Sequence, residues 1–327
     1  MNVSPPSRTP SPRGVGMALS ATGLLSTTAI LIRFLTERQL PPLVLAFWRE
    51  IFVAVALILI LAIFRPHLLR LPRQQLPFLV GYGFILMVFN STWSISVALN
   101  GAALSTVMAY SSPAFTALIG WLLWREPLGP FKILAILVSL FGCVLVSGAL
   151  DPSLWALNTA GIVIGMTAGL MYAVYSIMGQ ETSNRGLNTW SALAVTFACA
   201  AIFLLVVLQF PLNTLTPALS HIGTAPDLLW LGRDWLGWGV LLVLAWGPTL
   251  GGYGLYNASL SHLPASVVNL IATLEPPMTA GLAYLLLGER LTVTQLIGSA
   301  LIIGGVMLLR VDALHRRRVL PDTAPTL

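Results

Sequence analysis

Charged side chains are scarce in this sequence. Only 9% of its 327 residues are Asp, Glu, Lys or Arg, whereas 57% are hydrophobic. A soluble domain carries about a quarter charged residues, so this chain cannot cover its whole outer surface with solvated groups. The composition therefore excludes an ordinary soluble globular domain and indicates a protein whose surface mostly contacts lipid.

Cysteine and the common catalytic motifs are also rare or missing. Cys143 and Cys199 stand inside long apolar runs, and their spacing suggests no disulfide framework. The sequence has no GxxxxGK[ST] phosphate loop, no HExxH motif and no Cys/His cluster, and its four histidines fall between the apolar runs. We therefore expect no enzymatic activity, no catalytic residue, no metal site and no cofactor.

Apolar stretches of about 20 residues, the length that crosses a hydrocarbon core, follow one another along the chain. They predict an all-α polytopic membrane protein with ten transmembrane helices. Residues 1–16 are expected to be a disordered cytoplasmic N-terminus, and 311–327 a basic cytoplasmic tail. The predicted spans lie near 17–35, 43–64, 76–98, 102–124, 131–150, 157–179, 187–210, 236–258, 265–287 and 293–310.

The basic residues in the loops indicate the orientation. With both termini inside, thirteen basic residues fall on the cytoplasmic side and three on the outer side, as the positive-inside rule favours. The outer residues are Arg33, Arg38 and Arg233. The cytoplasmic residues are Arg8, Arg13, Arg65, Arg70, Arg73, Arg125, Lys132, Arg185, Arg290, Arg310, Arg316, Arg317 and Arg318.

The sequence is related to itself at an offset of 163 residues. Five predicted spans separate equivalent positions, and an odd number turns the second copy upside down in the membrane. We therefore predict two inverted five-helix repeats, 17–150 and 157–310, an arrangement typical of secondary transporters with a site near the midplane. The aligned pairs include Pro113 with Pro276, Glu126 with Glu289, and Gly142 with Gly305.

Residues 261–309 resemble the closing repeat of EamA-type transporters of the drug/metabolite transporter superfamily. The first half departs from the family pattern at Arg125-Glu126-Pro127, where Gly-Glu-Arg is usual. The resemblance implies a ten-helix fold in the inner membrane of a prokaryote and export or exchange of small metabolites, amino acids or drugs. The matching elements are Leu274-Glu275-Pro276, Gly288-Glu289-Arg290-Leu291, Gln295, Gly298, Gly305 and, in the first half, Phe47-Trp48-Arg49.

Glu275 is the most unusual residue in the predicted spans. It lies about ten residues into span 265–287, or about 15 Å from the outer interface at 1.5 Å per residue. A carboxylate at this depth costs about 2.5 kcal/mol or more, and such residues usually face a cavity or a partner. Pro276 and Pro277 follow it and are expected to break the helix there. Glu275 is either a coupling or substrate-ammonium site, or a structural ion pair or buried neutral carboxyl group.

Arg49 and Glu50 lie about seven residues inside the second predicted span. Adjacent helical residues point about 100° apart, so we do not expect both to face one partner. Arg49 is long enough to approach Glu275, which makes an ion pair between them one hypothesis. The alternative is that Arg49 extends to the outer headgroups.

Polar and aromatic side chains in other spans are candidates to line a central cavity, where they would bind a solute by stacking and single hydrogen bonds. For each aromatic residue, core packing or an interfacial position is an equal alternative. The glycines of 161–169, at four-residue spacing, predict close helix packing. The candidate lining residues are Tyr253, Tyr256, Asn257, Tyr172, Tyr175, Asn90, Trp93, Tyr110 and Ser111, together with Glu275.

These observations favour a secondary transporter that exports or exchanges a small organic metabolite, an amino acid or an amphiphilic drug-like solute, by alternating access. Exchange for protons through Glu275 is one coupling hypothesis. The alternative is a non-transporting membrane subunit or scaffold with the same fold. The expected partners are a small-molecule substrate, the lipid bilayer and protons, and no nucleic acid.

Overall fold

A computed structural model of the protein describes residues 11–125, 129–147, 150, 159–214, 219–287 and 292–319. Within these ranges the chain is helical, and no strand occurs. Several sequence expectations fall outside the described residues, namely those for 1–10, Glu126, Glu289, Arg290 and 320–327.

The described residues form thirteen α-helices. A π-helical segment, Ala245–Gly252, connects the ninth and tenth, and short 3-10 turns stand in the loops. The helices are α1 Pro12–Leu25, α2 Thr28–Thr36, α3 Pro42–Phe64, α4 Leu76–Ala109, α5 Ser112–Trp124, α6 Pro130–Val146, α7 Thr159–Asn184, α8 Thr189–Val207, α9 Trp235–Leu244, α10 Tyr253–Leu260, α11 Ala265–Ala272, α12 Glu275–Leu287 and α13 Val293–Val319.

Seven stretches are long and apolar enough to cross a membrane, and two further apolar helices, Pro130–Val146 and Val293–Leu308, are shorter. The predicted span 265–287 is divided between α11 and α12. The chain is thus a multi-pass membrane protein. The seven stretches are Pro12–Leu35, Pro42–Phe64, Arg73–Val97, Ser105–Leu123, Gly161–Asn184, Thr189–Val207 and Trp235–Leu260.

The first and last helices extend beyond their expected limits. Helix α1 begins at Pro12, inside the segment expected to be disordered, because the Ser11 Oγ accepts a hydrogen bond from the Gly14 N–H at 3.0 Å. Serine at the N-cap followed by proline in the first turn is a favourable helix start. At the other end, α13 continues to Val319, within the expected tail.

Helix α4 contains a reversal of the chain. The Ser96 and Ser105 hydroxyl oxygens lie 2.8 Å apart, whereas nine residues of straight α-helix would separate them by about 13.5 Å. The chain therefore turns back between Ser96 and Ser105. Helix α7 packs tightly on this hairpin, since a Cβ atom added to Gly165 would overlap the Met108 sulfur. The predicted close packing at this glycine is confirmed.

Two helices of each half begin at equivalent positions of the internal repeat. Helices α5 and α6 begin at Ser112 and Pro130, and α12 and α13 begin 163 residues later at Glu275 and Val293. Proline follows both Ser112 and Glu275, and it occupies the first helical turn, where N–H groups have no helical partner. The helix break that the sequence predicted is therefore complete: α11 ends at Ala272, and a separate helix, α12, begins at Glu275.

Glycines bring α6 and α13 into backbone contact. A Cβ atom added to Gly298 would lie 2.7 Å from the Gly142 carbonyl oxygen and 2.8 Å from the Val146 amide nitrogen. Real Cβ atoms do not approach backbone atoms this closely, so any side chain there would push the helices apart. Gly304 lies on the same helix, and a Cβ atom there would meet nothing within 4 Å.

The loop before α9 fastens the ends of α2 and α3. The Arg38 Nε donates to the Asp234 carboxylate at 2.5 Å, and the Trp230 and Trp48 indoles donate to the carbonyls of Arg38 and Leu228. The Gly237 amide and the Arg38 guanidinium hold the pKa of Asp234 below its usual value. This loop therefore has a structural role in joining the two halves.

We expect Gly298→Ala to destabilise the protein by about 1–3 kcal/mol, the usual result of forcing a methyl group into a packed interface. Gly304→Ala, on the open side of α13, should be neutral or slightly stabilising because alanine is the better helix former. Thermal unfolding of both variants in the same detergent tests this. Equal unfolding temperatures for the two variants would contradict the close contact.

Candidate functional site

A cavity of about 110 Å³ lies among helices from both halves of the chain. Six of its fourteen lining residues are aromatic, one is basic and one is acidic. Typical ligand pockets have volumes of about 300–1,000 Å³, so this conformation holds only a small solute. The lining residues are Leu25, Thr28, Arg49, Phe89, Asn90, Trp93, Thr106, Ala109, Tyr110, Tyr172, Thr249, Tyr253, Tyr256 and Glu275.

The structure places the sequence-predicted site residues in two groups. Asn257, Tyr175 and Ser111 are not part of the wall. Asn257 and Tyr175 are buried next to it, and the Ser111 hydroxyl donates to the Met108 carbonyl at 2.6 Å. The residues in the wall are Glu275, Tyr253, Tyr256, Tyr172, Asn90, Trp93 and Tyr110, together with Arg49.

Glu275 enters the cavity from the start of a helix. It is the first residue of α12, at the positive end of the helix dipole, which favours a negative charge. Pro276 and Pro277 have no backbone N–H group, and the Met278 N–H donates to the Leu274 carbonyl at 3.1 Å. Tyr110, at the matching break before α5, lines the same cavity. Both helix breaks thus present polar groups to one cavity.

Arg49 and Glu50 share one partner, contrary to the expectation from their 100° separation. The Arg49 Nη2 donates to the Asn90 Oδ1 at 3.0 Å, and the Asn90 Nδ2 donates to the Glu50 Oε1 at 2.7 Å. The expectation was wrong because an asparagine amide has an acceptor and a donor end, and the arginine side chain is long enough to reach around the helix.

Arg49 does not extend to the headgroups in this structure. It is 6% exposed and lines the cavity with Glu275. Among the described residues, however, no ion pair joins Arg49 to Glu275, because the guanidinium bonds to Asn90 instead. The two opposite charges therefore belong to the same cavity without neutralising each other by contact.

The aromatic side chains of the wall are arranged as stacked and tilted pairs. Phe89 and Tyr172 stack with ring centroids 4.8 Å apart and planes 8° apart, and Tyr256 lies 5.9 Å from Tyr172 at 30°. Such pairs hold ring faces rigidly. They offer an apolar surface to a solute, while the Tyr256 hydroxyl bonds to Ser176 and Asn269.

Buried hydrogen bonds join the helices beside the cavity. The Asn257 amide accepts from the Tyr82 hydroxyl at 2.7 Å and donates to the Tyr175 hydroxyl at 2.8 Å. These contacts connect α4, α7 and α10. Asn257 and Tyr175, predicted as lining residues, thus support the wall from behind in this structure.

A second network contains residues that sequence reasoning missed. The Asn269 Oδ1 accepts from the Ser176 and Tyr256 hydroxyls, and its Nδ2 donates to the Thr116 Oγ1 at 2.6 Å. The only sign of this network in the sequence is that Asn269 is an isolated amide in an apolar run, which does not identify its partners. Glu50 was noticed in the sequence, but its partnership with Asn90 depends on the contact between α3 and α4.

The internal repeat also relates residues of the wall. Asn90 and Trp93 on α4 correspond, at the offset of 163, to Tyr253 and Tyr256 on α10, and all four line the cavity. The same relation pairs Glu275 with Ser112, which is fully buried. Equivalent positions of the two halves therefore face each other, with different chemistry on each side.

Asn257→Leu should lower the free energy of unfolding by about 1–3 kcal/mol, because it leaves the Tyr82 and Tyr175 hydroxyls buried without this partner. Adding Tyr82→Phe should recover part of the loss, since one orphaned hydroxyl disappears. Thermal unfolding of both single variants and the double variant measures the coupling. A double variant that loses the sum of the single effects, or more, would contradict the network.

Comparison with known proteins gives a consistent result for both halves. Residues 12–148 and 159–311 each match the EamA-like transporter family. A solved crystal structure matches with a TM-score of 0.72 and 17% identity, over 93% of this chain and 98% of the other. At that identity the similarity concerns the fold.

Relatives with printed functions are transporters. A Salmonella typhimurium protein named "Probable amino-acid metabolite efflux pump" is 26% identical over 82% of this chain and 85% of its own length. The "Threonine/homoserine exporter RhtA" of the same species is 24% identical over 78% of both chains. A Synechocystis protein named "Uncharacterized transporter sll1319" is 25% identical over 71% of this chain and 66% of its own.

Proposed function

The chain belongs to the EamA-like transporter family of the drug/metabolite transporter superfamily, and we propose that it exports or exchanges a small organic metabolite by alternating access across the cytoplasmic membrane. The observation behind this proposal is a cavity lined by both halves of the chain, with Arg49 and Glu275 in its wall. Ionisable residues at membrane depth are costly and usually line a substrate or ion path.

We propose further that ten helices form two inverted repeats around this cavity. The chain reversal between Ser96 and Ser105 supports separate third and fourth spans. The shared offset of α5 with α12 and of α6 with α13 supports a common plan for the two halves. Inverted repeats allow the halves to exchange conformations, so that a site at their interface faces each side in turn.

Glu275 is the proposed binding site for a substrate ammonium group or a coupling proton. It starts a helix at the cavity wall, which Tyr110 also lines. Rings such as Trp93 and Tyr172 supply apolar faces for the rest of the solute. The small cavity volume and the printed names of the amino-acid exporters favour an amino-acid-sized substrate over a large amphiphilic one.

Glu275→Gln should reduce substrate flux by about tenfold or more, because one charge-assisted contact in a dry site is worth roughly 1.5–3 kcal/mol. The measurement is uptake of labelled L-threonine, L-homoserine and tetraphenylphosphonium into proteoliposomes under an imposed pH gradient. Glu181→Gln is the matched control. It removes a carboxylate that pairs with Arg185 at the protein surface.

Wild-type protein that moves no compound of a broad panel of amino acids and amphiphilic cations would count against transport. Flux that Glu275→Gln and Glu181→Gln change equally would remove the proposed role of Glu275. Binding assays on detergent-solubilised protein separate lost binding from lost translocation.

A further inference from the structure

Arg49 and Glu275 line the cavity, and a third charged side chain, Glu50, accepts a hydrogen bond from Asn90 of its wall. Glu50 is fully buried. The helices α4, α8 and α9 and the π-helical segment, which pack along α3, contain no Asp, Glu, Lys, Arg or His in their described residues. Asp227 in the 3-10 turn Ala225–Leu229, which contacts α3, and Arg33 on α2, which contacts α12, do not line the cavity. The described part of this site therefore holds one basic and two acidic groups.

Asn90 connects the arginine to the buried carboxyl group. Its amide accepts from Arg49 at 3.0 Å and donates to Glu50 at 2.7 Å. Two polar atoms of this relay are buried without a hydrogen-bond partner in the described structure, the Arg49 Nε and the Glu50 Oε2. Arg49 can thus donate one more hydrogen bond, and Glu50 can accept one more.

Charge balance then constrains the site. A charge away from water is costly unless an opposite charge compensates it. One guanidinium can compensate one carboxylate, whereas this site has two carboxyl groups. The second must carry a proton or face a bound cation. The neighbouring Tyr110 and Tyr253 hydroxyls can donate hydrogen bonds to a carboxylate, but as neutral groups they do not compensate its charge.

We propose that Arg49, Glu50 and Glu275 form one site that binds a single exchangeable positive charge, either a proton or the ammonium group of a substrate. Glu50 is its second carboxyl group and also positions Arg49 through Asn90. In the empty site a proton from water forms an O–H bond with one carboxylate oxygen. When a substrate ammonium pairs with the carboxylate, this O–H bond breaks and the proton returns to water.

The use of this site in transport rests on the function proposed above. One proton then exchanges for one ammonium group. A substrate with no net charge moves in exchange for a proton, so each cycle transfers one charge across the membrane. A singly charged cation exchanges without net charge transfer. The net charge of the substrate thus determines whether the membrane potential adds to the driving force.

The direct test counts protonated carboxyl groups without any substrate. Infrared difference spectroscopy of the full-length protein in lipid, recorded over a pH series, measures the C=O band of protonated buried carboxyl groups. Wild-type protein should lose one such group as the pH rises. Glu50→Gln and Glu275→Gln should each abolish the band, because the remaining carboxylate is compensated by Arg49. Glu181→Gln is the control and should leave the band unchanged.

Arg49→Gln supplies the opposite result: both carboxyl groups lack compensation, so the band should about double in area. If Arg49→Gln does not fold, the Glu50→Gln spectrum still decides, because glutamine can accept the same hydrogen bond from Asn90. A full wild-type band in Glu50→Gln would overturn the shared site. Absence of any protonated group in wild-type protein would overturn it as well.

A second arm uses proteoliposomes with labelled L-threonine as the probe. Glu50→Gln should remove the response of threonine flux to an imposed pH gradient, while Glu181→Gln keeps it. If the infrared count is as expected but wild-type protein moves no threonine, the three-charge site stands and the proposed substrate class fails. If threonine moves and Glu50→Gln keeps the response, transport stands and the role of Glu50 fails.

Discussion

A polar group surrounded by hydrocarbon must find its partner within the protein, and this constraint governs the arrangement of the cavity. Away from water, each unmet donor or acceptor costs more than any single contact returns. The helix breaks before Ser112 and Glu275 therefore lie among other helices of the fold. The amides of Asn257 and Asn269 likewise bond on both ends to groups of neighbouring helices. The need to satisfy buried polar groups therefore determines both how the helices pack and which groups line the cavity.

The sequence predicted the features that depend on local composition. Apolar length located seven stretches that can cross a membrane among the described residues, fewer than the ten predicted. The spacing of prolines and glycines located the repeat, because these residues act on their own backbone. Pro113 and Pro276 mark true helix starts, and Gly142 contacts Gly298 across the α6–α13 interface. The early start of α1 at Pro12 was missed, since a proline-rich segment resembles disorder until its cap is seen.

The candidate site was predictable only in part, because its contacts join residues far apart in the chain. An ionisable or aromatic residue in an apolar run is visible in the sequence, and this identified Glu275, Tyr172 and Tyr256 as candidates. Which neighbour a side chain selects is decided by helix packing. The shared partner of Arg49 and Glu50, Asn90, could therefore not be predicted from the sequence, because the contact depends on how α3 packs against α4.

The amide of Asn90 also gives this region a direction. Its oxygen faces the guanidinium and its nitrogen faces the carboxyl group, so one planar group distinguishes the cationic neighbour from the anionic one. Rotating the amide by half a turn would set like polarities against each other on both sides. The orientation of the Asn90 amide therefore favours the cationic Arg49 on the side of its oxygen and the carboxyl group of Glu50 on the side of its nitrogen.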